Sequence, residues 1–256
     1  YEDERKLKLF EDDKNIRLFM GYSLKKVECE QNQIKAVVIY DVKKCDYVRI
    51  SAPYFSDCTG DGTLGYLSGA DYEITPYGHM EQSNFWCVDD MKTPQDFKPC
   101  PWALDLHDVN FVSRPSFRGR VMNEEKEAAK NLGNWQWGSG FEMDPIKNDE
   151  KIRDYNFRAM YGAWDAIKNT DHDMKNYKIV YSSYLSGKRE SRRLLGDVVL
   201  TTADIINHVP YKDGIVGIDF NLDTHRPDYN YYPAYREGYA FIGKCANESF
   251  EVPYYM

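Results

Sequence analysis

"FSDCTGDGTLGYLSGADYEI", residues Phe55–Ile74, gathers glycines and two aspartates, Asp57 and Asp61, into a short turn between an apolar run and a helix-like one. Thr63 to Ser68 reads as a single short helix closed by Gly69, which suits the left-handed backbone past a helix end. Such a turn holds a calcium ion, a phosphate-bearing cofactor, or nothing. For calcium, Asp57, Thr59 and Asp61 stand at positions one, three and five with Gly62 at six, but Ser68 occupies the twelfth position, where a bidentate glutamate is needed. The chain before the turn also reads as strand rather than helix, so calcium is set aside. A phosphate reading needs backbone N–H groups facing an anion, and Gly60 and Gly62 carry no side chain to block that approach. Asp61 then reads as a cap on the short helix or as an acceptor from a sugar or ribityl hydroxyl. A plain strand-turn-helix with an aspartate cap satisfies the same spacing.

Outward from the turn, Arg5 to Phe10 has helical character and Asp12 to Asn15 breaks it. Strand candidates follow at Ile16 to Met20 with Leu24 to Cys29, at Ile34 to Asp41 and at Tyr47 to Ser51, with a further short one at Tyr54 to Asp57. The alternation in "IKAVVIYD" and the short polar joins "EQNQ" and "VKKCD" predict an antiparallel meander. Downstream, "SNFWCVDD" is strand-like, Asn123 reads as the N-cap of a helix over 124–132, and "GNWQWGSG" is a loop whose tryptophans need cover. Asp149 to Lys168 is the clearest helix, because Ile152, Tyr155, Ala159, Met160, Ala163 and Ile167 share one face. Lys178 to Leu185 reads as strand, Thr201 with Asp204 as a capping box opening a helix through His208, and "DGIVGIDFNLD" as strand. Helix and sheet mix without βαβ alternation, so the fold class expected is α+β, with a meander and a further mixed sheet.

The 256 residues suffice for one large domain or two smaller ones. A net charge of −8, from 33 basic and 41 acidic residues, opposes attraction to nucleic acid or anionic membranes. No apolar run approaches the roughly 20 residues that span a bilayer. The chain opens at Tyr1 and stops at Met256 after "FEVPYYM", and both ends read as cut, so the missing signal-peptide core says nothing about compartment. The six cysteines show no C-x-x-C pair, which speaks against a thiolate metal site, and read as buried free thiols or, in an oxidising compartment, as one or two disulfides. His172 and His225 have carboxylate neighbours and read as surface loops. Seven of the 21 tyrosines cluster in "RPDYNYYPAYREGY" and "VPYYM", a composition that lines a sugar-binding cleft or fills a core rim.

A wider resemblance joins these pieces. "NIRLFMGYSLKKVECEQNQIKAVVIYD", then "FSDCTGDGTLGYLSGADYE", then "GKRESRRLLGDVVLTTADI" resembles the FAD-dependent oxidoreductases of the glutathione-reductase-like superfamily. Asp57, Cys58, Thr59, Gly60, Asp61 and Gly62 match the family's D-A-T-G-D-G with a cysteine for the alanine, Ser68-Gly69-Ala70 matches its A-G-A, and Gly187 to Arg193 matches its G-x-R-E-x-R-R. The resemblance covers roughly residues 1–75 and 176–256. It implies FAD contacts from Thr59, Gly60, Asp61 and Gly62, and a substrate side formed by Arg189, Glu190 and Arg193; no catalytic acid or base is named. It also implies a flavin cradle built on an opening G-x-G-x-x-G unit and a closing flavin segment, both expected to lie outside this chain. The expectation is therefore a central fragment of a split FAD-binding fold, with a meander and FAD-domain segment over 1–75 and a substrate or cap domain over 76–256. Alone it would hold little FAD and be inactive; with the flanking segments of its parent it would pass hydride between a small organic substrate and flavin. The alternative is a noncatalytic, carbohydrate-binding module.

Overall fold

The computed structural model describes residues 2–76, 79–109, 111, 114, 129, 132, 137–212 and 214, together with the backbone of 217–221 and 251–255. The chain forms two compact units, unit 1 from Tyr1–Glu73 with Arg192–Asp197 and unit 2 from Ile74–Ser191 with Val198–Met256.

Unit 1 opens with α1 (Asp3–Glu11) and continues as the antiparallel meander β1 (Tyr22–Glu30), β2 (Gln33–Asp41) and β3 (Asp46–Ser51), in the order β1-β2-β3. Val37 stands opposite Val27 on one side and Ile50 on the other. Both hairpins are set by local chemistry. Gln31 and Asn32 take positive φ (50° and 61°), the left-handed pair that a two-residue turn needs to match strand twist. At the second turn the buried Asp41 carboxylate accepts from the Lys43 and Lys44 amides at 2.9 and 3.0 Å. Those bonds, the Lys44 amide foremost, hold its carboxyl below the usual range against the opposing effect of burial. After the meander comes α2 (Thr63–Ser68), then β4 (Tyr72–Glu73), paired antiparallel with β10 (Arg193–Leu194). Ile16 to Met20 and Tyr54 to Asp57, expected as strands, run without ladder partners. Their apolar content is real, but among the described residues no neighbouring strand accepts their amides.

Unit 2 holds β5 (Gln82–Ser83) between β7 (Gly138–Ser139) and β9 (Gly187–Lys188), and pairs β6 (Trp86–Asp90) with β8 (Tyr177–Ser182). Its main helix is α3 (Asp149–Asp165), which runs on into a π-turn over Ala166–Thr170; α4 (Thr202–Ile206) and the pair β11 (Gly217–Asn221) with β12 (Glu251–Tyr255) follow. Every pairing among the described residues is antiparallel, where a mixed sheet was expected; the α+β class stands.

The expected stripe of α3 packs inward: Ile152, Ala159, Met160, Ala163 and Ile167 are buried. Trp164, Trp86 and Trp137 join them, with Trp86 edge-on to both others at 5.4 and 6.0 Å between centroids. The indole N–H groups of Trp86 and Trp137 both donate to the Leu132 carbonyl, at 2.7 and 2.6 Å, so both rings enter the core without an orphaned donor. Close packing fixes one glycine in the helix itself: a methyl at Gly162 would run into the Leu104 carbonyl oxygen, with the Leu104 carbonyl carbon and nitrogen at 3.0 and 3.2 Å. The capping box is present, Thr201 Oγ1 accepting from the Asp204 amide and Asp204 Oδ2 from the Thr201 amide, although α4 stops at Ile206.

The cysteine reading needs correction. Among the described residues Cys29, Cys45, Cys58 and Cys87 are free thiols as expected but exposed, and Cys100 is half-buried. Of the helix expected over 124–132 only Ala129 and Leu132 are described, both helical and buried; the tyrosine cluster of 226–239 and His225 lie outside the described residues. No helix among the described residues is long and apolar enough to cross a membrane.

Candidate flavin-facing site

The loop between β3 and α2 is organised by Asp57. Its Oδ1 accepts from the Thr59 amide at 3.0 Å and the Thr59 hydroxyl at 2.7 Å, while Oδ2 accepts from the Gly65 amide at 3.0 Å. Thr59 Oγ1 in turn accepts from the Thr63 amide at 2.8 Å. Two of the first amides of α2 are thus satisfied from outside the helix, by Asp57 and Thr59 rather than by the Asp61 cap expected from spacing. Burial pushes the Asp57 carboxyl up, but the bonds from Thr59, Gly65 and Leu64 outweigh it and hold the group below its ordinary value. The far end of α2 closes as expected on Gly69, at φ 86°.

Each glycine of the turn has its own reason. Gly60, at φ 77°, is exposed, and the space beside its Cα holds no atom within 4 Å. Gly62, at φ 58°, lies beside Leu194, whose Cγ would stand 3.1 Å from an added methyl. Gly65 is tighter still, with Leu194 Cδ2 at 2.7 Å, so α2 rests directly on β10. Among the described residues, the amides of Gly60 and Gly62 donate to no protein acceptor. Thr59 spends its hydroxyl on Asp57 and Thr63, and Asp61 is half-buried.

The basic segment divides between the units, because the chain passes from unit 2 to unit 1 between Ser191 and Arg192. In unit 2, Arg189 Nε lies 3.2 Å from Oε1 of the fully buried Glu81, and Glu190 accepts from the Thr75 hydroxyl at 2.8 Å and the Met80 amide at 3.1 Å. These groups adjoin a buried polar layer: Asn156 of α3 donates to the Gln82 carbonyl and Asn84 Oδ1 and accepts from the Ser139 hydroxyl. In unit 1, Arg193 is exposed on β10, opposite Glu73. From sequence, Arg192 belongs to the same cationic run as Lys188, Arg189 and Arg193, of which Arg189 and Arg193 were preferred. The Arg192 guanidinium stacks on Tyr66 at 4.0 Å and lies 5.8 Å from the Tyr72 ring, and its Nε and Nη1 are shielded from solvent with no hydrogen-bond acceptor among the described residues. Tyrosines six residues apart, flanking a glycine stop, were the signal that marked it.

The family model for "FAD dependent oxidoreductase" matches residues 5–256. The chain belongs to the FAD dependent oxidoreductase family. No curated protein and no solved structure matches the chain. Family membership supports an oxidoreductase function, with FAD as the cofactor of the intact family and a small molecule as substrate.

Membership also bears on the expectation that the family's G-x-G-x-x-G segment lies outside the chain. The bare spacing does occur within the chain, at Gly60-Asp61-Gly62-Thr63-Leu64-Gly65. Two of its glycines even match the fingerprint's physical logic, Gly60 turning the chain and Gly65 allowing close helix packing. The surroundings do not: residues 54–57 are not a strand, α2 has only six residues, and the strands nearby pair antiparallel. The spacing is therefore present without the surroundings of a βαβ dinucleotide cradle. The residues present fit an FAD pressed against the backbone at Gly60, where an open face and an unengaged amide coincide.

Proposed function

We propose that this chain is the central part of a flavoprotein of the glutathione-reductase-like superfamily, carrying the meander and one wall of the FAD site in unit 1 and a substrate domain in unit 2. FAD, when bound, supplies hydride transfer with a small organic substrate; the protein supplies position and electrostatics. Gly60 and Gly62 offer backbone N–H groups to the cofactor, Thr59 holds their turn through Asp57, and Asp61 accepts from a cofactor hydroxyl. In unit 2, Arg189 and Glu190, oriented by Glu81, Thr75 and the Met80 amide, take the substrate side; Arg193, exposed on β10 of unit 1, is a separate candidate for substrate contact.

The observation that carries this reading is the open, amide-bearing face of Gly60 in a loop that Asp57 braces from behind. Unit 1 supports the fragment reading as well. Among its described residues Ala36 and Leu64 are the buried apolar side chains, whereas Leu9, Phe10, Ile16, Leu18, Met20 and Tyr54 are exposed. A meander with so small a core needs a further apolar surface to rest on.

Flavin absorbance of the purified parent protein tests the proposal. A yellow parent whose Gly60→Val variant comes off the column colourless supports it, because valine both blocks the open face and resists φ 77°. A parent that never takes up FAD, with millimolar sugar binding by the 256-residue chain, supports the noncatalytic module instead.

A further inference from the structure

Away from the flavin-facing loop, the C-terminal end of α3 in unit 2 gathers a second set of reactive groups. There the helix widens into the π-turn, the Asp171 amide donating to the Ala166 carbonyl five residues back at 3.0 Å. Thr170, the last residue of the turn, is exposed, and its Oγ1 is hydrogen-bonded to His107 Nδ1. His107 Nε2 lies 3.4 Å from Asp165 Oδ2, and the other oxygen of Asp165 accepts from Asn169 Nδ2. The Asp165 side chain is 11% exposed and that of His107 39%, so the carboxylate is sheltered while the imidazole reaches solvent. The backbone of His107 is pinned too: its carbonyl accepts from Arg114 Nη2 at 2.8 Å, and Arg114 is fixed by a two-point pair with Asp171.

We propose that Thr170, His107 and Asp165 form a second active centre, an acyl-transfer site that hydrolyses short carboxylic esters. Nucleophile and base are hydrogen-bonded, and the carboxylate of Asp165 lies 3.4 Å from the far ring nitrogen of His107, the order of groups by which a weak hydroxyl becomes a nucleophile on unrelated folds. A neutral imidazole with its proton on Nε2, toward Asp165, presents the Nδ1 lone pair to the Thr170 hydroxyl. Two further features lie close by in the chain. A cavity of about 360 Å³ is lined by Asn169 and His172, on either side of Thr170 in sequence, with Pro94, Phe97 and the charged Lys168, Asp173 and Lys175; Thr170, His107 and Asp165 are not part of its lining. His172 and Met174 both take positive φ (55° and 48°), strain of the kind that gathers at functional sites.

The reaction closes without any redox partner. Thr170 Oγ bonds to the acyl carbon as its proton passes to His107 Nδ1. The bond from the acyl carbon to the alcohol oxygen then breaks, and the departing oxygen takes that proton from His107. Water next attacks the acyl-threonine, giving one proton to His107; the Oγ–acyl bond breaks, Thr170 recovers the proton, and a carboxylic acid leaves.

The test uses the 256-residue chain, without added FAD, and p-nitrophenyl acetate. Acid quenching followed by mass mapping is expected to find the acetyl group on Thr170 of the unaltered chain. Thr170→Val, which keeps the side-chain shape, and His107→Gln are each expected to lower turnover about 100-fold, whereas Thr170→Ser retains it. Near-ultraviolet dichroism checks that the variants are folded. An acetyl group found only on other residues, wild-type turnover in Thr170→Val, or a rate no greater than that of free imidazole at equal concentration overturns the proposal.

Discussion

Replacing Asp57 with alanine removes one carboxylate from three donors at once, the Thr59 amide and hydroxyl and the Gly65 amide. The loop is partly open to solvent, so water replaces part of what is lost, and each bond counts at the ordinary net value of about 1 kcal/mol rather than the larger one for a sealed charge. Helix-cap replacements independently give about 0.5–2 kcal/mol. Allowing for overlap, α2 and its loop should lose about 2 kcal/mol, which speeds opening about 30-fold, since 1.4 kcal/mol is a factor of ten. All five tryptophans fall in unit 2, so their fluorescence is blind to this change, and amide exchange at Gly65 is the assay of choice. The pH dependence has a definite sign. The folded carboxyl lies below its ordinary 3.8, so its contribution is fully present above that value and is lost as pH falls through the lower folded one. The wild-type loop should therefore show an extra acid-labile limb that Asp57→Ala lacks. Gly65 exchange within threefold of wild type in the variant, or an identical acid limb, would refute the role given to Asp57.

Gly162→Ala sets about 1 kcal/mol of better helix propensity against a clash with the Leu104 backbone, whose amide also donates to the Arg158 carbonyl; overpacking should win, lowering unit 2 stability by about 1–3 kcal/mol in urea melts followed by tryptophan fluorescence. Glu81→Ala leaves Arg189 without its buried carboxylate and should cost about 3 kcal/mol; Arg189→Met in the same background should recover part of that, a coupling that a double-mutant cycle reads directly. Arg192→Leu keeps the bulk over Tyr66 but loses the cation, and a drop of about 1 kcal/mol in unit 1, seen by amide exchange at Tyr66, is expected.

Local pattern carried far where partners are close in sequence. The meander was legible because alternation and turn chemistry act over neighbouring residues, and so were α2 with its Gly69 stop, the inward stripe of α3 and the Thr201–Asp204 box. Ile16 to Met20 shows the limit: an apolar run is a strand only if another strand lies beside it, which no window of sequence records. The same holds for the loop. Asp57 and Asp61 are equivalent candidates by composition, and the path of the chain after β3 selects Asp57. Arg192 was not preferred because its neighbours Arg189 and Arg193 share its chemistry, and the path of the backbone into β10 decides which one meets Tyr66. His107, Asp165 and Thr170 were invisible as a group, since histidine and carboxylate are far apart in sequence and meet only through packing of the loop after β6 onto α3.

The π-turn carries a lesson about origins. An α-helical turn extended by one codon swings every later side chain by about 100° around the axis. Removing Lys168 should therefore turn Thr170 away from His107 while leaving the buried stripe of α3 through Ile167 in register. One small insertion at the end of a helix is enough, in principle, for a surface with no chemistry to acquire some.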